Sequence, residues 1–167
     1  MSNAKNLKIK HIDKKNASFK ELSLIKDMIF WVDSIPEDQK QKNAIFAKPF
    51  NDKNAIPQKL TGDNFYIKSN FHGYGGKSYQ CIEMNDQIYL IWVDQLSKGM
   101  WLKILRVQEK VSKNDNEYLL CDMESRQLTE SIKTNFDTSF VISKNNLLFG
   151  LCEIKHRDYL FSLDLNK

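Results

Sequence analysis

Short apolar runs alternate with polar turns along most of the chain from Ser23 onward. The apolar runs are rich in β-branched and aromatic residues, and Asn, Asp, Lys and Gly separate them. This composition is typical of β-strands, and little of the chain shows the period of an amphipathic helix. The pattern predicts strands at 22–25, 28–33, 44–48, 58–61, 78–83, 87–93, 101–106, 117–122, 140–143, 147–154 and 159–163.

Turn-forming residues join several of these runs directly. Lys26-Asp27, Asn85-Asp86 and Lys144-Asn145-Asn146 each separate two apolar runs, as in successive antiparallel hairpins. The chain shows no strand–helix–strand alternation, which disfavours a doubly wound nucleotide-binding fold. We therefore predict an all-β fold built from antiparallel four-stranded meanders.

A weak internal repeat suggests how the meanders are arranged. The tetrapeptide Q-K-L-T at 58–61 is echoed by R-Q-L-T at 126–129, and each follows a strand–turn–strand unit. Propeller blades are four-stranded meanders of about 40 to 50 residues, and a closed ring contains about four to eight of them. We predict an incomplete β-propeller of about two and a half blades after a basic, partly disordered N-terminal arm: arm 1–20, blade one 21–60, blade two 61–125, half of blade three 126–167.

Composition narrows the class of protein further. The chain has 41% hydrophobic and 11% aromatic residues, and no apolar stretch approaches the ~20 residues of a membrane-spanning helix. The N-terminus lacks the apolar core of a secretory signal, so we expect a cytoplasmic location. The net charge of +4 comes largely from lysines in the first twenty residues, and the chain has few arginines, which argues against nucleic acid as a partner.

Residues of metal, nucleophilic or nucleotide chemistry do not cluster in the sequence. Cys81, Cys121 and Cys152 lie far apart within apolar runs, as reduced core cysteines do. The histidines form no metal-binding motif. The tripeptide G-K-S at 76–78 resembles the end of a phosphate-binding loop, but a strand pattern follows it instead of a helix. We expect no cofactor and no metal.

Two segments resemble a known family. The sequence F-W-V-D-S-I-P-E at 30–37 resembles the first propeller strand of prolyl oligopeptidase-family serine peptidases of the bacterial acylaminoacyl and dipeptidyl type, which carry Y-W-x-E-x-x-P-E. Asp33 replaces the family Glu. The block H-G-Y-G-G at 72–76 resembles the family's H-E-Y-G-G, with Gly73 in place of Glu, and it keeps the glycines that permit tight turning.

A third block extends the resemblance to about 28–165. R-Q-L-T at 126–129, the strand at 140–143 and the segment 152–165 are similar to the family's next blade. The resemblance implies the start of a propeller that caps an α/β-hydrolase domain, restricts access to its serine and contributes to substrate selection. The chain has no G-x-S-x-G nucleophile elbow, which this hydrolysis requires. We therefore expect a non-catalytic N-terminal propeller fragment of a serine peptidase.

The resemblance also implies partners and site residues. The partners are the missing remainder of the propeller and the hydrolase domain, and open strand edges favour self-association. The candidate binding residues are His72, Tyr74, Glu153 and His156, and the candidate structural turn is formed by Gly73, Gly75 and Gly76. For the same residues, the structural alternatives are a histidine packed at a blade turn and a salt-bridged pair between Glu153 and His156.

A second interpretation of the whole chain stays open at this point. The sequence is also compatible with a small stand-alone β-sandwich or barrel that acts as a binding module. In that case the lysine-rich arm recruits an acidic partner. Closure of the sheet distinguishes the two, because a barrel satisfies its own edges and an arc of blades does not.

Overall fold

The computed structural model describes residues 20–37, 40–73, 75–111, 116–122, 125–129 and 134–166. Within these ranges the chain is all-β, as predicted, with one short 3-10 turn at Phe71–Gly73 and no α-helix. None of the described helical structure is long and apolar enough to cross a membrane. The predicted basic arm lies outside the described residues except for Lys20.

The first sheet is a four-stranded antiparallel meander. Its strands are β1 (Lys20–Ile25), β2 (Met28–Glu37), β3 (Lys40–Pro49) and β4 (Gln58–Lys59), in that order. The turn between β1 and β2 is formed by Lys26 and Asp27, whose φ angles are 49° and 57°. Two residues with positive φ give a hairpin turn whose twist matches that of the flanking strands.

The second sheet repeats this arrangement. It contains β5 (Tyr79–Met84), β6 (Gln87–Asp94), β7 (Gly99–Val111) and β8 (Asn116–Asp122), and β9 (Arg126–Gln127) also pairs with β7. The strands β8 and β9 lie along the same edge of β7, because β6 occupies the other edge. Asn85 and Asp86 form the turn between β5 and β6 with φ angles of 51° and 63°.

The third sheet is centred on β12 (Leu147–Ile154). The strands β10 (Thr134–Phe136) and β11 (Val141–Ile142) pair with one edge of β12, and β13 (Arg157–Asp164) pairs with the other along its whole length. None of the three sheets closes on itself among the described residues. Every predicted strand overlaps an observed one, whereas β9 and β10 were not predicted as strands.

Two apolar layers lie between the three sheets. The layer between sheets one and two includes Met28, Phe30, Val32, Ile45, Leu60, Tyr79, Ile88, Leu90 and Trp92. The layer between sheets two and three includes Tyr89, Ile91, Val93, Met100, Leu102, Phe136, Phe140, Leu148 and Cys152. The middle sheet therefore contributes both of its faces to the core, since alternate residues of β6 point in opposite directions.

The predicted burial of the cysteines can be followed at two of the three positions. Cys81 and Cys152 are free and buried. Burial raises the pKa of both thiols, which keeps them protonated and unreactive. The side chain of Cys121 lies outside the described residues.

The Leu-Thr repeat has the same hydrogen bonds in both sheets. Leu60 N–H donates to the carbonyl oxygen of Ile45 at 2.8 Å, and the Ile45 N–H donates to Thr61 Oγ1 at 3.1 Å. In the second sheet, Leu128 N–H donates to Met100 O at 2.7 Å, and Met100 N–H donates to Thr129 Oγ1 at 2.9 Å. Each threonine hydroxyl thus replaces a backbone carbonyl where the outermost strand ends.

A second echo lies on the neighbouring strands. The sequence W-V-D occurs in β2 at 31–33 and in β6 at 92–94. Val32 is opposite Ile45, and Val93 is opposite Met100. Ile45 and Met100 are the residues whose backbone groups bond the two Leu-Thr segments. The first two sheets are therefore copies of one unit in register as well as in strand order.

Candidate functional site

The segment 60–78 connects the first sheet to the second and contacts all three sheets. Ile67 N–H donates to the carbonyl oxygen of Asn43 in β3 at 3.1 Å, and Lys68 N–H donates to that of Val93 in β6 at 3.3 Å. Ser69 is 1% exposed, and its hydroxyl donates to Phe136 O in β10 at 2.7 Å. This connecting segment therefore fixes the three sheets to one another at one end.

The predicted glycine turn lies in the connecting segment. His72, Gly73 and Gly75 have φ angles of 51°, 70° and 84°, a region that glycine adopts without strain. A Cβ on Gly75 would lie 3.1 Å from Ser69 O, and one on Gly76 would lie 2.8 Å from Asp137 Oδ1. Backbone conformation or the lack of space therefore favours glycine at each of these positions. Tyr74, the fourth candidate binding residue, lies outside the described residues.

Three of the candidate binding residues lie together beside this turn. They line an open cavity of about 390 Å³ whose walls are Asn70, His72, Gly73, Asn135, Glu153 and His156. The residues come from three elements: the 3-10 turn, β10, and β12 with the turn that follows it. His72 is 81 positions from Glu153 in sequence, so the fold alone brings them together.

Glu153 is the central polar group of the cavity, with only 7% of its side chain exposed. Its Oε2 accepts hydrogen bonds from the His72 backbone N–H at 2.9 Å and from Asn135 Nδ2 at 3.4 Å. The hydrogen bond from the His72 amide lowers the pKa of Glu153, and Asn135 and the two imidazoles lower it further against the effect of burial. The carboxylate is therefore ionised at neutral pH.

Two imidazoles border this carboxylate. His156 Nδ1 lies 3.2 Å from Glu153 Oε1, and the His156 side chain is 98% exposed. His72 Nε2 lies 3.3 Å from Asp158 Oδ1, where both side chains are about half exposed. Glu153 and His156 are thus in contact, as the salt-bridged pair of the structural alternative requires.

The cavity offers polar groups that can bind a ligand. Its described lining combines one ionised carboxylate with imidazole and amide groups. Among the described residues, no group of three or more His, Cys, Asp and Glu side chains is arranged to hold a metal ion. The cavity can accept N–H donors at the free positions of the carboxylate and can donate from the imidazoles.

A second open cavity of about 350 Å³ lies between sheets one and two. Beside it, Glu21 accepts hydrogen bonds from Ser78 N–H at 2.7 Å and from Ser78 Oγ at 2.8 Å. Glu21 has a φ of 56° and lies where the pairing of β1 with β2 shifts register. No local pattern signals this contact, because an isolated Glu in a strand pattern looks like any solvent-facing residue.

Comparison with known proteins gives fold-level matches. No protein-family model and no curated protein matches the sequence. A puromycin-hydrolysing peptidase of Mycobacterium tuberculosis is similar in structure, with a TM-score of 0.65 and 13% identity over 90% of this chain. Puromycin hydrolase is similar in two crystal structures, one of a mutant complexed with PGG, with TM-scores of 0.63 and 0.61 and 9% identity over 92% of this chain.

These matches involve a small part of the solved proteins. The chain spans 21% of the length of the mycobacterial peptidase and 22% of that of puromycin hydrolase. At such low identity the likeness establishes the fold. The resemblance to prolyl oligopeptidase-family peptidases is thereby confirmed at the level of the fold, and this chain has the architecture of one part of them.

Proposed function

We propose that this chain is the non-catalytic propeller part of a prolyl oligopeptidase-like serine peptidase, where it restricts access to the active site and helps to select peptide substrates. The observation that carries the proposal is the structural similarity of about 90% of this chain to about a fifth of the length of each solved peptidase. The motif blocks at 30–37, 72–76 and 126–165, in family order, support it independently.

In this proposal the catalytic groups belong to an α/β-hydrolase domain outside the 167 residues. The sequence has no nucleophile elbow, and no serine is among the described residues that line the cavity around Glu153. The hydrolase domain and further propeller blades are the proposed partners. In this proposal the three sheets correspond to blade one (21–60), blade two (61–125) and half of blade three (126–167), with the short strand β9 at Arg126–Gln127 paired to the second sheet.

The cavity around Glu153 is the proposed contact with substrate. An ionised carboxylate that is mostly buried retains acceptor positions for the N–H groups of a peptide. His156 and His72 stand at the rim, where a passing chain meets them first. Tyr74 belongs to the same motif block and is proposed as a fourth contact.

The alternative fold is a small stand-alone β-sandwich or barrel, and the barrel receives no support from the described strands. The strands form three separate open sheets, and a barrel requires one sheet that closes on itself. The architecture instead resembles that of the peptidases. A binding module that uses the lysine-rich arm, in the form of a β-sandwich, is therefore kept as the second proposal, because the structural similarity favours the peptidase architecture.

Two measurements test the proposed function. The first is an NMR titration of the labelled chain with short peptides and puromycin, combined with an assay of fluorogenic aminoacyl amides. We expect no hydrolysis, and shifts confined to His72, Gly73, Asn135 and 153–158. Hydrolysis by the chain alone would contradict the non-catalytic assignment, and unchanged spectra with every peptide would contradict the substrate contact.

The second measurement is the DNA sequence downstream of the Lys167 codon in the source genome. We expect the reading frame to continue through further propeller blades into a G-x-S-x-G elbow. A stop codon with no hydrolase gene nearby would remove the mechanism of the proposed function. This result is independent of how well the isolated chain binds peptides.

A further inference from the structure

The second cavity, of about 350 Å³, is lined by residues of the first sheet and of the connecting segment. The proposed function makes no use of it. Two of its lining hydroxyl groups belong to buried residues, since Ser69 is 1% exposed and Ser78 is 8% exposed. Most of the other lining side chains are polar as well. The cavity is therefore a recess suited to a polar ligand.

Two lysines come from different walls of this cavity. Lys20 belongs to β1 and Lys68 to the connecting segment, and both side chains are exposed. Within the described part of the chain, neither ammonium group forms an ion pair with a carboxylate. Each ammonium group carries three N–H donors. Both lysines can therefore donate to a negatively charged group in the cavity.

Glu21 is the one carboxylate among the described residues that line this cavity, and it is already engaged. Its Oε2 accepts the Ser78 N–H at 2.7 Å, and its Oε1 accepts the Ser78 hydroxyl at 2.8 Å. The described lining thus carries two positive charges and one negative charge, which gives a net charge of +1. A ligand group with a single negative charge would neutralise it.

Two uncharged side chains add further donors. Asn43 Nδ2 donates to Ile67 O at 3.2 Å, and Asn43 Oδ1 accepts the Ser34 hydroxyl at 3.2 Å. These bonds hold the amide in place and leave its second N–H for a ligand. Tyr66 also lines the cavity and carries a hydroxyl that can donate. The cavity thus combines two ammonium groups with two neutral donors, which suits an anion.

The backbone amides of the G-K-S tripeptide at 76–78 take no part in this donor set. In chain order they donate to Ser69 Oγ at 3.3 Å, to Asp137 Oδ1 at 3.2 Å and to Glu21 Oε2 at 2.7 Å. A phosphate-binding loop instead surrounds its ligand with amides that have no other acceptor. The tripeptide is therefore not a phosphate cradle, and an anion in this cavity must be held by side chains.

We propose that the second cavity binds a carboxylate group between Lys20 and Lys68, oriented by Asn43 and Tyr66. A carboxylate neutralises the lining, whereas a phosphate dianion would leave an excess negative charge near Glu21. Its two oxygens accept charge-assisted hydrogen bonds from the ammonium groups and further bonds from the neutral donors. The carboxylate is that of a small organic acid or of a peptide C-terminus. This site does not rest on the proposed function, because the two cavities share no lining residue.

An NMR titration of the isotope-labelled chain tests the site. The probes are acetate, N-acetyl-dialanine with a free carboxylate, the corresponding dialanine amide, and inorganic phosphate at mildly alkaline pH. We expect both carboxylates to shift the amide signals of Lys68, Gly75, Gly76 and Ser78, the peptide amide to leave them unchanged, and phosphate to bind more weakly than acetate. Tighter binding of N-acetyl-dialanine than of acetate would identify a peptide C-terminus as the ligand, and equal binding would identify a small organic acid.

The same probes separate this site from the proposed substrate contact. Peptides with an amidated C-terminus lack the carboxylate, so the shifts that they cause should remain confined to the cavity around Glu153. Acetate should affect the second cavity alone. Failure of one site therefore leaves the result for the other unchanged.

Variants of the lining residues test which groups hold the anion. Lys20→Gln and Lys68→Gln should each weaken acetate binding by about two- to fivefold, as expected for an exposed ion pair. Tyr66→Phe keeps the charge and should weaken binding by about two- to tenfold through loss of one hydrogen bond. Lys144→Gln is the matched control, since Lys144 is exposed in the turn between β11 and β12, and it should retain the wild-type affinity.

Four results would overturn the carboxylate site. They are unchanged spectra with both carboxylates, equal affinities for the acid and amide forms of the peptide, tighter binding of phosphate than of acetate, and an equal loss of affinity in Lys144→Gln and Lys68→Gln. The last result would show general attraction to a basic protein. The lysine variants are expected to fold as the wild type does, because both positions are exposed, and unchanged signals from the third sheet verify this.

Discussion

The hydroxyl of Thr61 gives the sharpest test of the repeated sheet unit. Thr61 is 3% exposed, and its Oγ1 accepts the N–H of Ile45, which is fully buried. Thr61→Val keeps the shape of the side chain but removes the acceptor, so the Ile45 N–H is left buried without a partner. An unsatisfied buried donor costs about 1–3 kcal/mol, and we expect Thr61→Val to lower the free energy of unfolding by that amount.

Urea unfolding at neutral pH, followed by the fluorescence of the three tryptophans Trp31, Trp92 and Trp101, measures the effect. Thr129→Val is the matched variant in the second sheet, where Thr129 is half-buried and water can replace part of the lost bond, so we expect a smaller decrease. Thr61→Ser retains the hydroxyl and should lie closer to wild type than Thr61→Val. A Thr61→Val variant no less stable than Thr61→Ser would refute the reasoning, because loss of the buried acceptor would then cost no more than loss of the methyl group.

Three further predictions concern packing, backbone conformation and pH. In Gly150→Ala the new Cβ would lie 2.7 Å from Phe140 Cδ1 and 2.8 Å from Phe161 Cζ, so thermal unfolding should show a loss of about 1–3 kcal/mol. In Gly73→Ala the Cβ meets nothing within 4 Å, but the φ of +70° should cost about 1–2 kcal/mol. Because the pKa of Glu153 lies below its ordinary value of 4.5, its carboxylate stabilises the fold above that pH and loses this effect on acidification. Urea midpoints of wild type and Glu153→Gln should therefore converge as the pH falls from about 6 to about 3.

The long strands were predictable because burial imposes a local pattern on them. In β12, for example, the apolar run at 147–154 is long enough to identify without any tertiary information. The strands β9 and β10 contain two and three residues, and their pairing depends on edges left open by β7 and β12. No local pattern can encode such a partner. The W-V-D echo, in contrast, was visible in the sequence and was missed.

The candidate site was predictable only as separate pieces. His72 was singled out in one motif block and Glu153 with His156 in another, but their contact depends on how the connecting segment crosses all three sheets. That segment has almost no strand pattern, because its hydrogen bonds go to many different elements. The contribution of Asn135 had no sequence signal at all, since a single amide in a short polar stretch is ordinary. Tertiary contacts therefore decide the composition of the cavity.

Glu153 has a structural role that must be separated from any role in binding. Its carboxylate holds the His72 amide, and the carboxylate of Asp94 in β6 does a similar task by accepting the Tyr66 N–H at 2.8 Å. Loss of peptide binding in a Glu153 variant would therefore be ambiguous, because the connecting segment would also lose a contact.

His156 resolves this ambiguity, because its side chain is 98% exposed and its one ion pair among the described residues is with Glu153, three positions before it. We expect His156→Asn, which keeps a residue that tolerates the φ of 62°, to change stability by less than about 0.5 kcal/mol. The same change should weaken peptide binding in the NMR titration if the cavity contacts substrate. Unchanged affinity in His156→Asn, together with lost stability in Glu153→Gln, would assign the cavity a purely structural role, because only the residue that anchors the connecting segment would then matter.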